Sequence, residues 1–407
     1  ALFMTYGQAI NVATMNFTVM RIIVLAGLAR ILVRGEIKDI RLHALDYAMI
    51  AWIVSNCAAY YLLRGTMEAF VNRLGYAYNT LGVYFLFRCV IKKHDDVLRT
   101  IKIIAILTVP LAILIVFEYV TGRNLFSVFG GVPEVTTIRN GKMRCQGPFG
   151  HPILAGTYGA STFPLIIALW QNQRKNILAI VALMASAVIV ITSGSSGPFL
   201  AIIIAILGLS AWYVRAFSKW ILWSVLVLFI SLHVVMKAPV WALIGRISEL
   251  TGGTGYHRVE LINQAINRID EWWLLGTDYT RHWMPTGVSY TDKMTDITNM
   301  YIRQAVDGGI ATLGLFIFLL YLCFNILKIV RIKATTNSQH SFALWCIGCS
   351  MLVHVTSFIS VQYFDQILLF WVLIVTFISS EYANVIQFKS PIRASVKQNS
   401  MQPSLPD

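Results

Sequence analysis

Charged residues are scarce: they make up 13% of the 407 residues, where a soluble domain carries about 25%. With a mean hydropathy of +0.66, that scarcity excludes a chain hiding its apolar surface inside one water-solvated core. Acidic residues are the fewest, 19 Asp and Glu against 33 Lys and Arg. Six cysteines (Cys57, Cys89, Cys145, Cys323, Cys346 and Cys349) are scattered. They show neither the pairing pattern of a disulfide framework nor the spacing of a zinc site, so neither is expected. There is no internal repeat, no low-complexity tract and no separable soluble domain. A signal-peptide pattern of basic, apolar and small-residue regions is also missing.

Long apolar runs are what the chain does have. One membrane span needs roughly 20 mostly apolar residues. Such runs fall at 13–33, 45–63, 66–91, 101–120, 151–170, 177–192, 198–214, 220–237, 309–327, 342–360 and 365–381. They predict an all-α, polytopic integral membrane protein with about eleven transmembrane helices. The formal net charge of +14 would suit nucleic acid, but most Lys and Arg lie in short connections between apolar runs. That placement is topology control by positive charge, so membrane lipids and no nucleic acid are the expected partners. Arg34, Lys38 and Arg41 follow the first run, and Lys92, Lys93, Arg99 and Lys102 the third. Arg174 and Lys175 follow the fifth, Arg215 and Lys219 the seventh, Lys328, Arg331 and Lys333 the ninth, and Lys389, Arg393 and Lys397 the last. Every second connection is basic, which assigns those connections to the cytoplasm of a bacterial inner membrane.

That orientation puts residue 1 outside. The chain begins with Ala, so an odd number of further N-terminal helices is expected, giving twelve or more in the full-length protein. Residues 1–387 read as one transmembrane domain with two substantial outer segments, 121–150 and 238–308, and 388–407 as a disordered cytoplasmic tail. Long ordered loops are commonly functional.

Four features of the outer face could carry chemistry. In RCQGPFGHPILAG, Arg144 and His151 flank a helix start near Pro152, where exposed backbone N–H groups make an anion site; a plain turn with an interfacial arginine competes evenly. SGSSG at 193–197 joins two runs, and the hydroxyls of Ser195 and Ser196 could bind glycan or phosphate, although plain hairpin geometry is the better explanation of the small residues. In GYHRVELINQAINRIDEWW, the stripe Ile262, Ala265, Ile266, Ile269, Trp272 and Trp273 predicts an amphipathic helix. Arg258 projects from its apolar side, suited either to snorkelling or to clamping a diphosphate with its planar fork; His257 stands beside it. In TDITNMYIRQAVDGGIATLGLF, Asp296 could deprotonate a hydroxyl while Asn299 or Tyr301 binds sugar, against the alternative of a helix cap and turn. Inside the runs, His354 and Glu118 are ionisable groups expected to face the bundle interior, with an interhelical hydrogen bond as the competing explanation.

These motifs, in this order over roughly residues 105–380, resemble the O-antigen ligase and polymerase superfamily of GT-C-type membrane glycan transferases. The likeness rests on RCQGPFGHPILAG, TSGSSGPFLA, HRVELINQAINRIDEWWLLGT and TDITNMYIRQAVDGGIATLGLF. It implies an undecaprenyl-diphosphate-linked oligosaccharide donor, a glycan or lipid A core acceptor, inversion at the transferred sugar, and no metal or other cofactor. Flippase and chain-length regulator proteins are the partners it suggests. By motif, Arg258 matches the family's outer-loop arginine, expected to hold the diphosphate, and Arg144 the arginine before the fifth run. Two positions depart: Ser196 stands where ligases carry an arginine, and Thr298 where they carry the histidine that activates the acceptor. Asp296 or His151 is then left for that role. A transporter or flippase for a lipid-linked glycan is the alternative, but transporters show repeated halves and broken helices near the bilayer midplane, and no repeat is present. A scaffold for polysaccharide assembly would leave the outer arginines unexplained.

Overall fold

The computed structural model describes residues 2–12, 15–36, 40–172, 176–250, 255–289, 291–334 and 338–387. The expected disordered tail and the basic residues Lys38, Arg174 and Lys175 lie outside the described residues.

A hairpin comes first: β1 (Ala9–Val12) pairs antiparallel with β2 (Met15–Thr18), Ala9 opposite Thr18. Helix α1 (Val19–Arg34) then starts on Thr18, whose hydroxyl accepts the Arg21 amide as an N-cap. The first apolar run therefore turns helical six residues later than the span expected from residue 13, because residues 15–18 are taken up in strand pairing. Next come α2 (Ala44–Arg64), α3 (Met67–Ala77) and α4 (Val83–Val90), the last two joined by a π-helical turn at Tyr78–Gly82. After α5 (His94–Thr121) the 121–150 segment forms a second hairpin, β3 (Thr137–Arg139) and β4 (Lys142–Arg144). Helices α6 (Pro152–Asn172), α7 (Ile177–Thr192), α8 (Ser196–Ser210) and α9 (Ser218–Val235) follow. The long connection carries α10 (Ala242–Leu250), α11 (Gly255–Asn267) and the single turn α12 (Ile269–Trp272). The chain closes with α13 (Met300–Lys333), α14 (Ser338–Ser357) and α15 (Asp365–Gln387).

Helix is thus found at each of the eleven expected runs. Among the described residues four helices, α5, α6, α13 and α15, are long and apolar enough to cross a membrane; α7, α8 and α9 are apolar but shorter. Helix α6 packs centrally against α7, α8 and α14, and α13 lies along α2. The main core runs through this bundle around Trp52, Phe316, Phe358 and Trp371. All six cysteines are free thiols.

Two buried ionic clusters cross it. Asp46 on α2 accepts hydrogen bonds from Tyr84 (2.5 Å) and Ser379 (3.2 Å), with Arg88 3.6 Å away. Asp307 on α13 receives Arg303 at 2.8 Å and Arg73 of α3 at 3.2 Å, and Arg73 also donates to Asn56.

A separate small core lies over one end of the bundle, built from Leu261, Ala265, Trp272, Trp283, Met294 and Val306. It is fastened to α13 at a break in that helix. Gly308 and Gly309 leave the helical conformation, Gly309 with φ 70° and ψ −169°, and the chain at 273–277 lies in the gap. The Ile310 amide donates to Trp273 O (2.8 Å), and the Thr277 amide to Val306 O (2.9 Å). A Cβ on Gly309 would stand 2.2 Å from Leu274 O. Gly309→Ala is therefore predicted to cost at least the ~1–3 kcal/mol of a strained backbone position, read as a lower thermal midpoint in detergent. Gly314→Ala, in the same helix with open space around it, is the control and should match or exceed the parent, since alanine is the better helix former.

The amphipathic helix differs from the pattern read at 100° per residue. It breaks at Arg268, and the expected stripe does not stay buried on either side: Ile266, Ile269 and Trp273 are about half exposed, at 51%, 48% and 50%. The buried seam of α11 is instead Arg258, Leu261 and Ala265, spaced three and four apart, and it turns Arg258 into the protein.

Candidate anion site

The site is assembled from four chain segments meeting where α8 begins. Segment 121–150 is moored by Glu118, buried at the end of α5. Its carboxylate accepts the amides of Gln146 (3.1 Å) and Gly147 (2.8 Å) and the hydroxyl of Thr136. Glu118 is accordingly a structural anchor for the loop. Within the loop, Asn140 and Gly141, both with positive φ (50° and 72°), make a two-residue turn of the kind that suits tight hairpins. The register places Arg139 opposite Lys142 and Thr137 opposite Arg144. Cross-strand partners and residues two apart share a face, so Arg139, Lys142 and Arg144 lie on one side of the ribbon.

The ribbon's end is tied to the 193–195 turn by the Cys145 amide, which donates to Thr192 O at 3.0 Å. Gly194, with φ 54°, makes that approach possible, because a Cβ there would come within 2.5 Å of Met143 O. Arg144 Nη2 then donates to Ser195 Oγ (3.0 Å), and Ser195 Oγ donates to Ser193 O (2.9 Å). Ser195 is the N-cap residue of α8 and makes no side-chain cap. The first intrahelical bond runs from Phe199 to Ser195 O, and Pro198 has no N–H. The amides of Ser196 and Gly197 are thus donors without a helical acceptor.

Arg258 approaches the same helix start from α11. It is buried, and its Nε donates to Ser360 O at 3.1 Å. Ser360 abuts Gly197. A cavity of about 350 Å³ lies here, lined by Ser196, Gly197, Arg258 and Ser360 and by apolar side chains that include Phe199, Leu200, Ile203 and Ile244.

The electrostatics are one-sided. Burial lowers the pKa of Arg258, and Arg139 and Arg144 lower it further; burial and Arg139 do the same to Arg144. The charged neighbours these arginines feel are other arginines, and among the described residues no acid neutralises either. His151 sits in the same field, pushed down to about 4 by burial and then by Arg144, Arg139 and Arg258. It is neutral at pH 7. Its Nδ1 accepts the Ile153 amide (3.2 Å), which leaves the ring proton on Nε2. His151 therefore presents a donor, and the arrangement does not support the role of base expected for it.

Asp296 keeps that possibility. His257, next to Arg258, holds the Asp296 backbone by donating to its carbonyl at 3.0 Å. The Asp296 side chain is half-buried, and burial raises its pKa while His257 pulls the other way. If Asp296 takes a proton during reaction, the rate is predicted to fall in acid with a midpoint higher than that of an ordinary aspartate, because burial raises the group. A pH–rate profile checks this: Asp296→Asn should be slow throughout and lack that limb.

The remaining candidates are absorbed by the fold. Asn299 caps α13, its Oδ1 accepting from the Tyr301 and Ile302 amides and its Nδ2 donating to Ile359 O. Tyr301 donates to Val355 O and packs on Phe316 and Phe358. Sugar binding by either would compete with these bonds, so the cap-and-turn explanation prevails there. His354 contacts the Tyr363 hydroxyl at 2.8 Å, a fold-closing hydrogen bond. Arg139 was not singled out in the sequence, although Asn-Gly between Arg139 and Lys142 is a hairpin signal that would have folded it back beside Arg144.

Fold and site together define a mainly helical protein with membrane-length apolar helices and an uncompensated cationic pocket at one helix start. No family model and no curated protein matches the chain.

Proposed function

We propose that the chain is a membrane transferase acting on an amphiphile with an anionic diphosphate head. More particularly, it moves an oligosaccharide from an undecaprenyl-diphosphate donor to a glycan hydroxyl, as an O-antigen or exopolysaccharide polymerase or ligase. The observation that carries this reading is the cavity at the start of α8, lined by Arg258, Ser196 and Gly197 together with aliphatic and aromatic side chains, with Arg144 bonded to Ser195 at the same helix start. A diphosphate suits the arginines and the helix-start amides, and a polyprenyl chain suits the apolar lining. In this reading about eleven helices span a bacterial cytoplasmic membrane, the cavity opens on its outer side, and the small core at 255–306 roofs it.

Asp296 takes the proton from the acceptor hydroxyl, whose oxygen attacks the anomeric carbon from the face opposite the diphosphate. The bond from that carbon to the diphosphate oxygen breaks, and the configuration inverts. Arg144, Arg258 and the Ser196 and Gly197 amides stabilise charge gathering on the leaving diphosphate, the type of preorganised stabilisation that dominates many enzymes.

The test is transfer in vitro. Full-length protein in detergent receives undecaprenyl-diphosphate oligosaccharide, with and without EDTA, then with lipid A core or candidate glycan acceptors. Release of undecaprenyl diphosphate with growth of the glycan, unaffected by EDTA, is the expected result. Tight donor binding without turnover for any acceptor would replace this reading with that of a lipid-linked glycan transporter.

A further inference from the structure

At the opposite end of the bundle three side chains from three helices converge. His94 lies in the first turn of α5, His340 in the first turn of α14, and Glu381 in the last turns of α15. One donor atom from each falls within 4.8 Å of the other two. His94 Nδ1 stands 2.5 Å from Glu381 Oε1, and His340 Nε2 stands 3.0 Å from Glu381 Oε2. The rings lie against each other, tilted by 41° with 3.8 Å between centroids. From these positions we infer a divalent transition-metal site, formed by His94, His340 and Glu381, that clamps α5, α14 and α15 together.

The chemistry supports an ion over a plain hydrogen-bonded triad. Two imidazoles and one carboxylate are a recurrent ligand set for Zn²⁺, with a further position left for water. In a tetrahedral site with bonds of about 2.0–2.1 Å, ligand atoms stand about 3.3 Å apart. The two histidine–glutamate separations reach that with shifts under about 1 Å. The Glu381 side chain is only 2% exposed, and a buried carboxylate requires compensating charge. One dication would supply that charge and engage a donor from each of the three side chains. The histidine side chains, 23% and 26% exposed, leave an approach from solvent.

The site is distinct from the arginine cavity. Helix α14 carries His340 at its start and leads to Ser360 just beyond its end, so at 1.5 Å per residue about 25 Å separates them. It is a structural clamp and takes no part in the transfer proposed above, on which it does not depend.

The test uses full-length protein freed of any histidine tag, stripped with chelator and titrated with Co²⁺ in detergent. One Co²⁺ per chain is expected, with the visible absorption of four- or five-coordinate cobalt, displaced by Zn²⁺ and accompanied by a higher thermal midpoint. Loss of a ligand should weaken binding beyond the ~10–100-fold typical of supporting residues, so His340→Ala and Glu381→Gln should each abolish the cobalt spectrum at the same concentration. Should Glu381→Gln fail to fold, the double variant His94→Ala/His340→Ala, at partly exposed positions, serves instead. A parent protein that takes up no Co²⁺ or Zn²⁺, or a double-histidine variant that binds as tightly as the parent, would overturn the inference.

Discussion

Arg258→Ala is expected to slow glycan transfer about 10²–10³-fold, the loss associated with removing one donor that stabilises developing charge. The effect should fall mainly on kcat. The diphosphate is already anionic when bound, but charge on the bridging oxygen grows only as the sugar leaves, and interactions strengthened in the transition state act on kcat. Arg258→Lys should restore part of the rate, since it keeps the charge and loses the planar fork. Thermal stability provides the control. Arg258 is buried beside Arg139 and Arg144, which disfavour its charge, so truncation removes repulsion along with its bond to Ser360. The variant should melt close to the parent while inorganic diphosphate stabilises it less. Full activity in Arg258→Ala would sink the assignment.

Asp307→Ala should produce the largest loss of stability, about 3–5 kcal/mol, the usual cost of breaking a buried ion pair by removing one partner. Asp307 holds both Arg303 and Arg73, and the side chains of Asp307 and Arg73 are 8% and 6% exposed. Without the carboxylate, Arg73 keeps Asn56 and the faces of Tyr60 and Tyr76, 3.5 and 5.6 Å from its guanidinium. Reversible unfolding in denaturant, compared between Asp307→Ala and Arg73→Met/Asp307→Leu, separates charge from packing. The double variant should recover much of the loss, because the buried Arg73 charge goes with its partner, while Arg303, whose side chain is 22% exposed, is left to reach solvent.

Helix placement was legible because a helix in an apolar setting must carry a long apolar run, and each of the eleven runs contains one. What periodicity could not show were local contests won by a single bond. Thr18 caps α1 and so leaves the preceding residues to a strand. Arg268 interrupts the amphipathic helix, and ahead of that break the buried seam runs through Arg258, Leu261 and Ala265. In the site, Arg144 and Arg258 were visible as arginines out of place, and the structure brings them to one helix start. Asn299 and Tyr301 looked equally polar in the sequence, yet their hydrogen bonds close the fold. His94 and Glu381 lie 287 residues apart, and no spacing rule spans that distance; only the packing of α5, α14 and α15 joins them. Asp307 hid within a helical motif because its partner Arg73 belongs to a distant helix.

The fastening of residues 273–277 into the break of α13 makes the stretch between Thr277 and Val306 a closed circuit, its two ends bonded to each other. The circuit does not hang free. Asp296 O accepts from His257, Trp283 and Met294 pack with Leu261 of α11, and His282 and Trp283 both bond Glu271. A change anywhere between residues 278 and 299 therefore travels to the helix that carries Arg258, and the break in α13 sets the register of that whole outer lobe.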